Sequence, residues 1–214
     1  MENNALSVFV ALDRSGSMSG ERWTTAITSL NEYISNLKKE KIEGNVSITA
    51  FDTYSSVDGV KIRLEDIVNK QSIAYFEPLD ANVLTPGGGT PLYDAAATVM
   101  DRALEQNSNR TVVVILTDGE ENASNEYTQA KIKDKVKLLQ DKKWEVIFLG
   151  ANFDVAKYTS GSGLAYTKFR NVDMNDKFAT ASMTADLSSN SVAYARSGTA
   201  MDMSGVEVNV KVKV

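Results

Sequence analysis

The 214-residue chain, 43% hydrophobic and 24% charged, has room for one sizeable α/β domain with a real core, not for a second full domain. Its 23 basic and 28 acidic residues give a net charge of −5, and no basic stripe stands out, which makes nucleic acid a poor partner. Cysteine and histidine are both absent, which excludes disulfides, Ser-His-Asp and Cys-His catalysis and histidine-ligated zinc, and fits a reducing compartment.

The N-terminus has no basic n-region, and its apolar run Ala5 to Leu12 is too short for a membrane span or a typical signal peptide. The expectation is therefore a cytoplasmic protein with no membrane segment. Leu6 to Leu12 reads as a strand buried on both faces, as in a parallel sheet. It stops at Asp13, where turn chemistry follows. Trp23, Ala26, Ile27, Leu30, Ile34 and Leu37 then mark one face of an amphipathic helix, and Trp23 is expected in the core, as is Trp144. Val46 to Phe51 predicts a second strand, and Val60 to Leu64 a third that is an edge or antiparallel one. Asp66 to Asp80 has no clear period and leaves room for a short helix. Leu92, Ala96, Val99 and Ala103 predict a helix that starts near Pro91 with Thr90 as its N-cap.

Thr111 to Leu116 is the clearest strand, and it ends in Thr117-Asp118-Gly119. Ile132, Val136 and Leu139 mark the next helix, and Trp144 to Leu149 another strand. Ala165 to Phe169 suggests a short strand, and Phe178 to Ala195 a helix rich in small residues. Val206 to Val214 alternates strictly, as a half-exposed strand does, and its partner is either the main sheet or another chain's edge. Residues 1–199 are read as the domain and 200–214 as a C-terminal extension holding that extra strand. Strands alternating with helices imply a Rossmann-like α/β fold: a mostly parallel central sheet with one antiparallel edge strand and helices on both faces.

In such a sheet, ligands bind beyond the carboxyl ends of the strands. Asp13 and Asp118 both stand at strand ends, and Ser15, Ser17 and Thr90 lie in loops at the same end. Two carboxylates and three hydroxyls form a hard-oxygen set, which selects Mg²⁺ or Mn²⁺ over zinc or copper. Two aspartates only just balance a divalent ion, so an open coordination position would attract a carboxylate from outside. Asp52 and Asp94 lie on the same side and are candidates to support the site. Glu120 and Glu121 read as solvated residues or as acids favourable at a helix start. Two enzymatic readings are weaker. Gly87-Gly88-Gly89-Thr90 lacks the Lys-Ser/Thr ending of a phosphate-binding loop. Asp13 as a phosphohydrolase nucleophile lacks the second aspartate two residues on, where Ser15 stands.

Asp13-Arg14-Ser15-Gly16-Ser17 resembles the Asp-x-Ser-x-Ser motif of von Willebrand factor A domains. Gly88-Gly89-Thr90 is similar to the family's threonine loop, and Thr117-Asp118-Gly119 to its third segment. The order and spacing agree over roughly residues 5 to 170, and the stand-alone bacterial and phage members look closest. The resemblance implies a metal-ion-dependent adhesion site and a non-enzymatic protein-binding module. Ser15 and Ser17 would ligate the metal directly, and Thr90 directly or through water. Asp13 and Asp118 would act mainly through water or as anchors, and a Glu or Asp of a partner protein would complete the sphere. In some members the last helix moves with the bound ligand; Phe178–Ala195 is the matching segment here.

Overall fold

The structure, a computed structural model, describes residues 5–82, 84–150 and 168–203, with residues 168–171 described by their backbone. The expected tail strand Val206–Val214 lies outside the described residues. Strand β1 (Leu6–Asp13) is buried along its whole length, as its unbroken apolar run requires. It is followed by helix α1 (Glu21–Lys39), strands β2 (Gly44–Ser56) and β3 (Gly59–Ser72), and helix α2 (Leu92–Gln106). Then come β4 (Arg110–Leu116), α3 (Gln129–Asp141), β5 (Glu145–Gly150), β6 (Lys168–Asn171) and α4 (Lys177–Ser197).

Among the described residues, six strands form one sheet in the order β3-β2-β1-β4-β5-β6. All pairs are parallel except β2–β3, so the antiparallel strand is at the edge, as expected. Each strand alternates its side chains between two cores. Leu6, Val8, Val10 and Leu12 pack against α1 through Ile27, Leu30 and Ile34 and against α4 through Met183 and Leu187. Phe9 and Ala11 face the other way, onto Ala96 and Val99 of α2 and Val136 and Leu139 of α3. Trp23 joins the first core and Trp144 the second, both 4% exposed. Met201 and Met203, after α4, are also buried in the first core, so the packed body runs on through Met203.

Two elements exceed their sequence signal. β2 and β3 extend past the rest of the sheet as a two-stranded ribbon, turning at Val57-Asp58. Tyr54, Val57 and Val60 are exposed there, so the ribbon carries no burial pattern to read. Residues 66–72, ambiguous by period, continue β3, and only a short 3-10 turn follows at Ile73–Tyr75. Just one residue of β3, Val68, is buried, which is why no period marks it. The small-residue richness of helix α4 has a different reason. Thr180, Thr184, Ser188 and Ser191 fill part of its buried face, and Ser191 bonds the Tyr33 hydroxyl of α1 at 2.9 Å.

From β1 the chain moves to β2 and β3 on one side, then crosses to β4, β5 and β6 on the other. The strand order therefore reverses between β1 and β4. A crevice opens at such a switch point beyond the carboxyl ends of the strands. Asp13 closes β1 there, and Thr117-Asp118 follows β4.

Candidate metal centre

Asp13 is the last residue of β1 and is fully buried. Its Oδ1 accepts from the Ser15 amide at 2.7 Å, and its Oδ2 accepts from the Thr117 hydroxyl at 2.6 Å. The first of these bonds curls the chain back at once, which brings the Ser15 and Ser17 hydroxyls to 2.9 Å from each other. Ser17 Oγ donates to Asp118 Oδ1 at 2.9 Å, and Arg22 Nη1 donates to Asp118 Oδ2 at 2.8 Å. Asp13, Ser15, Thr90 and Asp118 are buried, whereas Ser17 is exposed and marks the mouth of the crevice.

The threonine loop is tied to the first segment by its backbone. Gly16 N–H donates to Gly88 O at 3.0 Å, and Gly87 N–H donates to Arg14 O at 2.9 Å. Gly88 has φ +71°, and a Cβ there would lie 1.9 Å from the Thr53 carbonyl oxygen, so no other residue fits. Gly89 N–H donates to Thr53 Oγ1 at 2.7 Å, which fixes the loop against β2. Thr90 is held by Asn122 on both sides: its N–H donates to Asn122 Oδ1 at 2.8 Å, and its carbonyl accepts from Asn122 N–H at 3.2 Å.

Thr90 does not cap α2, contrary to the sequence expectation. The helix begins at Leu92, with Pro91 in the cap position. Its free amides are taken up from another loop. Tyr93 N–H donates to Glu121 Oε2 at 2.9 Å and to Ser124 Oγ at 3.0 Å. Glu121 is thus not a solvated acid. It also accepts from the amides of Ala123 (2.8 Å) and Ser124 (2.7 Å) and acts at the start of α2, a helix that precedes it in the chain. Glu120 is exposed.

Both supporting candidates have defined tasks. Asp94 accepts from the amides of Asn125 (2.8 Å), Glu126 (3.2 Å) and Tyr127 (2.8 Å), so it pins the loop that follows Asp118. Asp52 is fully buried between two arginines. Arg14 Nε donates to it at 3.1 Å, and Arg63 grips it with two bonds of 2.8 and 2.5 Å. Arg14 also donates to Glu65 at 2.7 Å. The arginine inside the first motif therefore points away from the oxygen set and locks the motif to β2 and β3. Arg22 is the contact that sequence reading missed, because it joins residues 96 positions apart.

Gly119 reports the shape of the centre. A Cβ built on it would lie 3.1 Å from Thr90 Oγ1, 3.3 Å from Ser17 Oγ and 3.7 Å from Asp13 Oδ2. Oxygens of the first segment and of the threonine loop thus close in on the third segment at Gly119, where a side chain would press on Thr90 and Ser17. Among the described residues no three carboxylates converge as a metal cage, so a cation here would lean on hydroxyls. An all-oxygen set of this kind fits a hard, six-coordinate ion that keeps some of its water. Burial pushes the Asp13 carboxyl up from its ordinary 3.8 to about 6, against the lowering effect of the bonds from Thr117 and Ser15, and Asp118 nearby raises it further. A cation held by this set would favour the ionised form. With both oxygens bonded and no exposure, Asp13 is poorly presented as a nucleophile.

Comparison with known proteins agrees with this architecture. The family model of the von Willebrand factor type A domain matches residues 7–183. The thrombospondin-related anonymous protein of Plasmodium berghei (strain Anka) is 30% identical over 122 residues, 55% of this chain. This chain spans only 20% of that relative's length. In fold, the chain is similar to the pilus adhesin SpaC from Lactobacillus rhamnosus GG, with a TM-score of 0.64 at 14% identity, over 88% of this chain and 30% of that one. It is also similar to the manganese-loaded TRAP protein of Plasmodium vivax, with a TM-score of 0.53 at 17% identity, over 84% of this chain and 73% of that one. No helix among the described residues is long and apolar enough to cross a membrane. The match over most of the chain, with the sheet order and the three converging segments, shows that it belongs to the von Willebrand factor type A domain family.

Proposed function

We propose that this chain is a metal-ion-dependent protein-binding module rather than an enzyme. Ser15, Ser17 and Thr90 would hold Mg²⁺ or Mn²⁺, with Asp13 and Asp118 as charge-balancing anchors. The bound ion would supply a Lewis-acidic position for an Asp or Glu side chain of a partner protein. The observation that carries the reading is the convergence of Thr90 Oγ1, Ser17 Oγ and Asp13 Oδ2 on Gly119 of the third segment, beside exposed Ser17. The chain's part is to fix these oxygens: the backbone bonds at Gly16 and Gly87 and the Asn122 clamp on Thr90 hold them before any ligand arrives. The manganese-loaded relative and the adhesins of like fold support the same reading. The module runs on through Met203, since Met201 and Met203 lie in its core, which shortens the extension expected at 200–214 to residues 204–214. Because the chain has no cysteine, its folding does not depend on the redox state of the compartment.

The test is a calorimetric titration of Mg²⁺ and Mn²⁺ into chelator-stripped protein, beside Asp13→Ala and Thr90→Ala. One saturable site in wild type, lost in both variants with the circular dichroism unchanged, is the expected result. Partner capture from an acidic-peptide library should then require the ion. Capture that is the same in EDTA would overturn the proposal.

A further inference from the structure

Arg22 stands in the first turn of α1. A cation there opposes the positive end of the helix macrodipole, so local preference does not explain it. Its tertiary bonds do. Nη1 donates to Asp118 Oδ2 at 2.8 Å and to the Ser17 carbonyl at 3.2 Å. One nitrogen thus joins the first motif segment to the third. The Asp118 side chain is fully buried, while that of Arg22 is 34% exposed, so the guanidinium lies at the rim of the crevice. Among the described residues, Nε and Nη2 of Arg22 make no bond. Arg14, the other arginine close in sequence, is committed to Asp52 and Glu65.

The charge balance gives this contact a consequence. Asp13 and Asp118 bring two negative charges to the oxygen set, and Arg22 offsets one of them. A divalent ion then leaves the centre with a net positive charge instead of none. Two effects follow with opposite signs. The ion is held less tightly, because a fixed cation repels it and shares Asp118. An incoming carboxylate is held more tightly, because it meets the ion together with free guanidinium donors. We propose that Arg22 sets the specificity of this centre: it weakens binding of the ion alone and contacts the partner's carboxylate, so that ion and carboxylate bind cooperatively. This rests on the metal-dependent reading above.

The experiment measures Mn²⁺ binding to the full chain by calorimetry and by water-proton relaxation, with and without excess acetate as the carboxylate probe. Wild type is compared with Arg22→Ala and Arg22→Gln. Mn²⁺ alone is expected to bind either variant about fivefold or more tightly than wild type, from the loss of one nearby positive charge. Acetate should tighten Mn²⁺ binding in wild type and do so distinctly less in the variants. Melting in EDTA and in Mn²⁺ checks folding: the variants should melt lower in EDTA but gain more from the ion. Equal or weaker Mn²⁺ binding by both variants, or an unchanged acetate effect, would overturn the role of Arg22 and leave the metal reading standing. No Mn²⁺ binding by wild type and variants alike would overturn both.

Discussion

Gly119 acts through the side chain it lacks. Its backbone carries no left-handed strain, so an alanine there fits the local conformation. The added methyl would nevertheless sit among Thr90 Oγ1, Ser17 Oγ and Asp13 Oδ2, where the ion is proposed to bind. Gly119→Ala is therefore expected to leave the thermal melt in EDTA within a few degrees of wild type, about what a change under 1 kcal/mol produces. Mn²⁺ binding should fall at least about tenfold, the effect of about 1.4 kcal/mol. Undiminished Mn²⁺ affinity in calorimetry would mean that the ion, if it binds, binds elsewhere. Gly88 differs, since its φ of +71° and its approach to Thr53 tie it to the fold itself.

At the level of elements, the loop between β4 and α3 and the start of α2 complete each other. The loop supplies Glu121 and Ser124 to the first amides of α2. The helix returns Asp94, which accepts three amides of the loop. Asn122 in the same loop holds Thr90. Asp94→Ala is expected to cost about 2–3 kcal/mol in urea unfolding, because charge-assisted bonds to amides are lost together. It should also weaken Mn²⁺ binding by loosening the Thr90 clamp. Loss of stability with unchanged metal affinity would show that the loop and the oxygen set are independent. The mutual capping explains why Thr90 misled as an N-cap: Thr-Pro before an apolar helix is a good local signal, but a distant loop supplies the cap.

For the whole molecule, Asp13 links folding to pH. Its folded-state value of about 6 lies above the ordinary 3.8, so the native state holds the proton more tightly than the unfolded chain. That stability is fully present below about pH 4 and is lost as pH rises through about 6, on the order of 3 kcal/mol in all. In a chelator, wild-type stability minus that of Asp13→Asn should therefore fall across this window. With Mn²⁺ the sign reverses, because the ion requires the carboxylate and its affinity rises with pH. Urea midpoints at several pH values, with EDTA and with Mn²⁺, test both slopes. A flat difference in EDTA would show that Asp13 is not desolvated as its burial implies.

The sequence by itself determined the alternation of strands and helices, the antiparallel edge and the three motif segments that mark the family. These were legible because each is local: apolar runs of strand length, amphipathic helix faces, and short polar motifs at strand ends. The length of the β2–β3 ribbon was not legible, since Tyr54, Val57 and Val60 are exposed and leave no burial pattern. The face of α4 was blurred because it packs on α1 through serine and threonine. Only the tertiary structure decided how the segments are held. The reversal of strand order between β1 and β4 brings Asp13 beside Thr117 and Asp118, 104 positions and more away, at the ends of neighbouring strands. The Asp52 clamp on Arg14 and Arg63, the Glu121 cap and the Arg22–Asp118 pair are contacts between charges distant in the chain. Such contacts leave no periodic trace, because chain folding rather than local spacing sets which charge meets which.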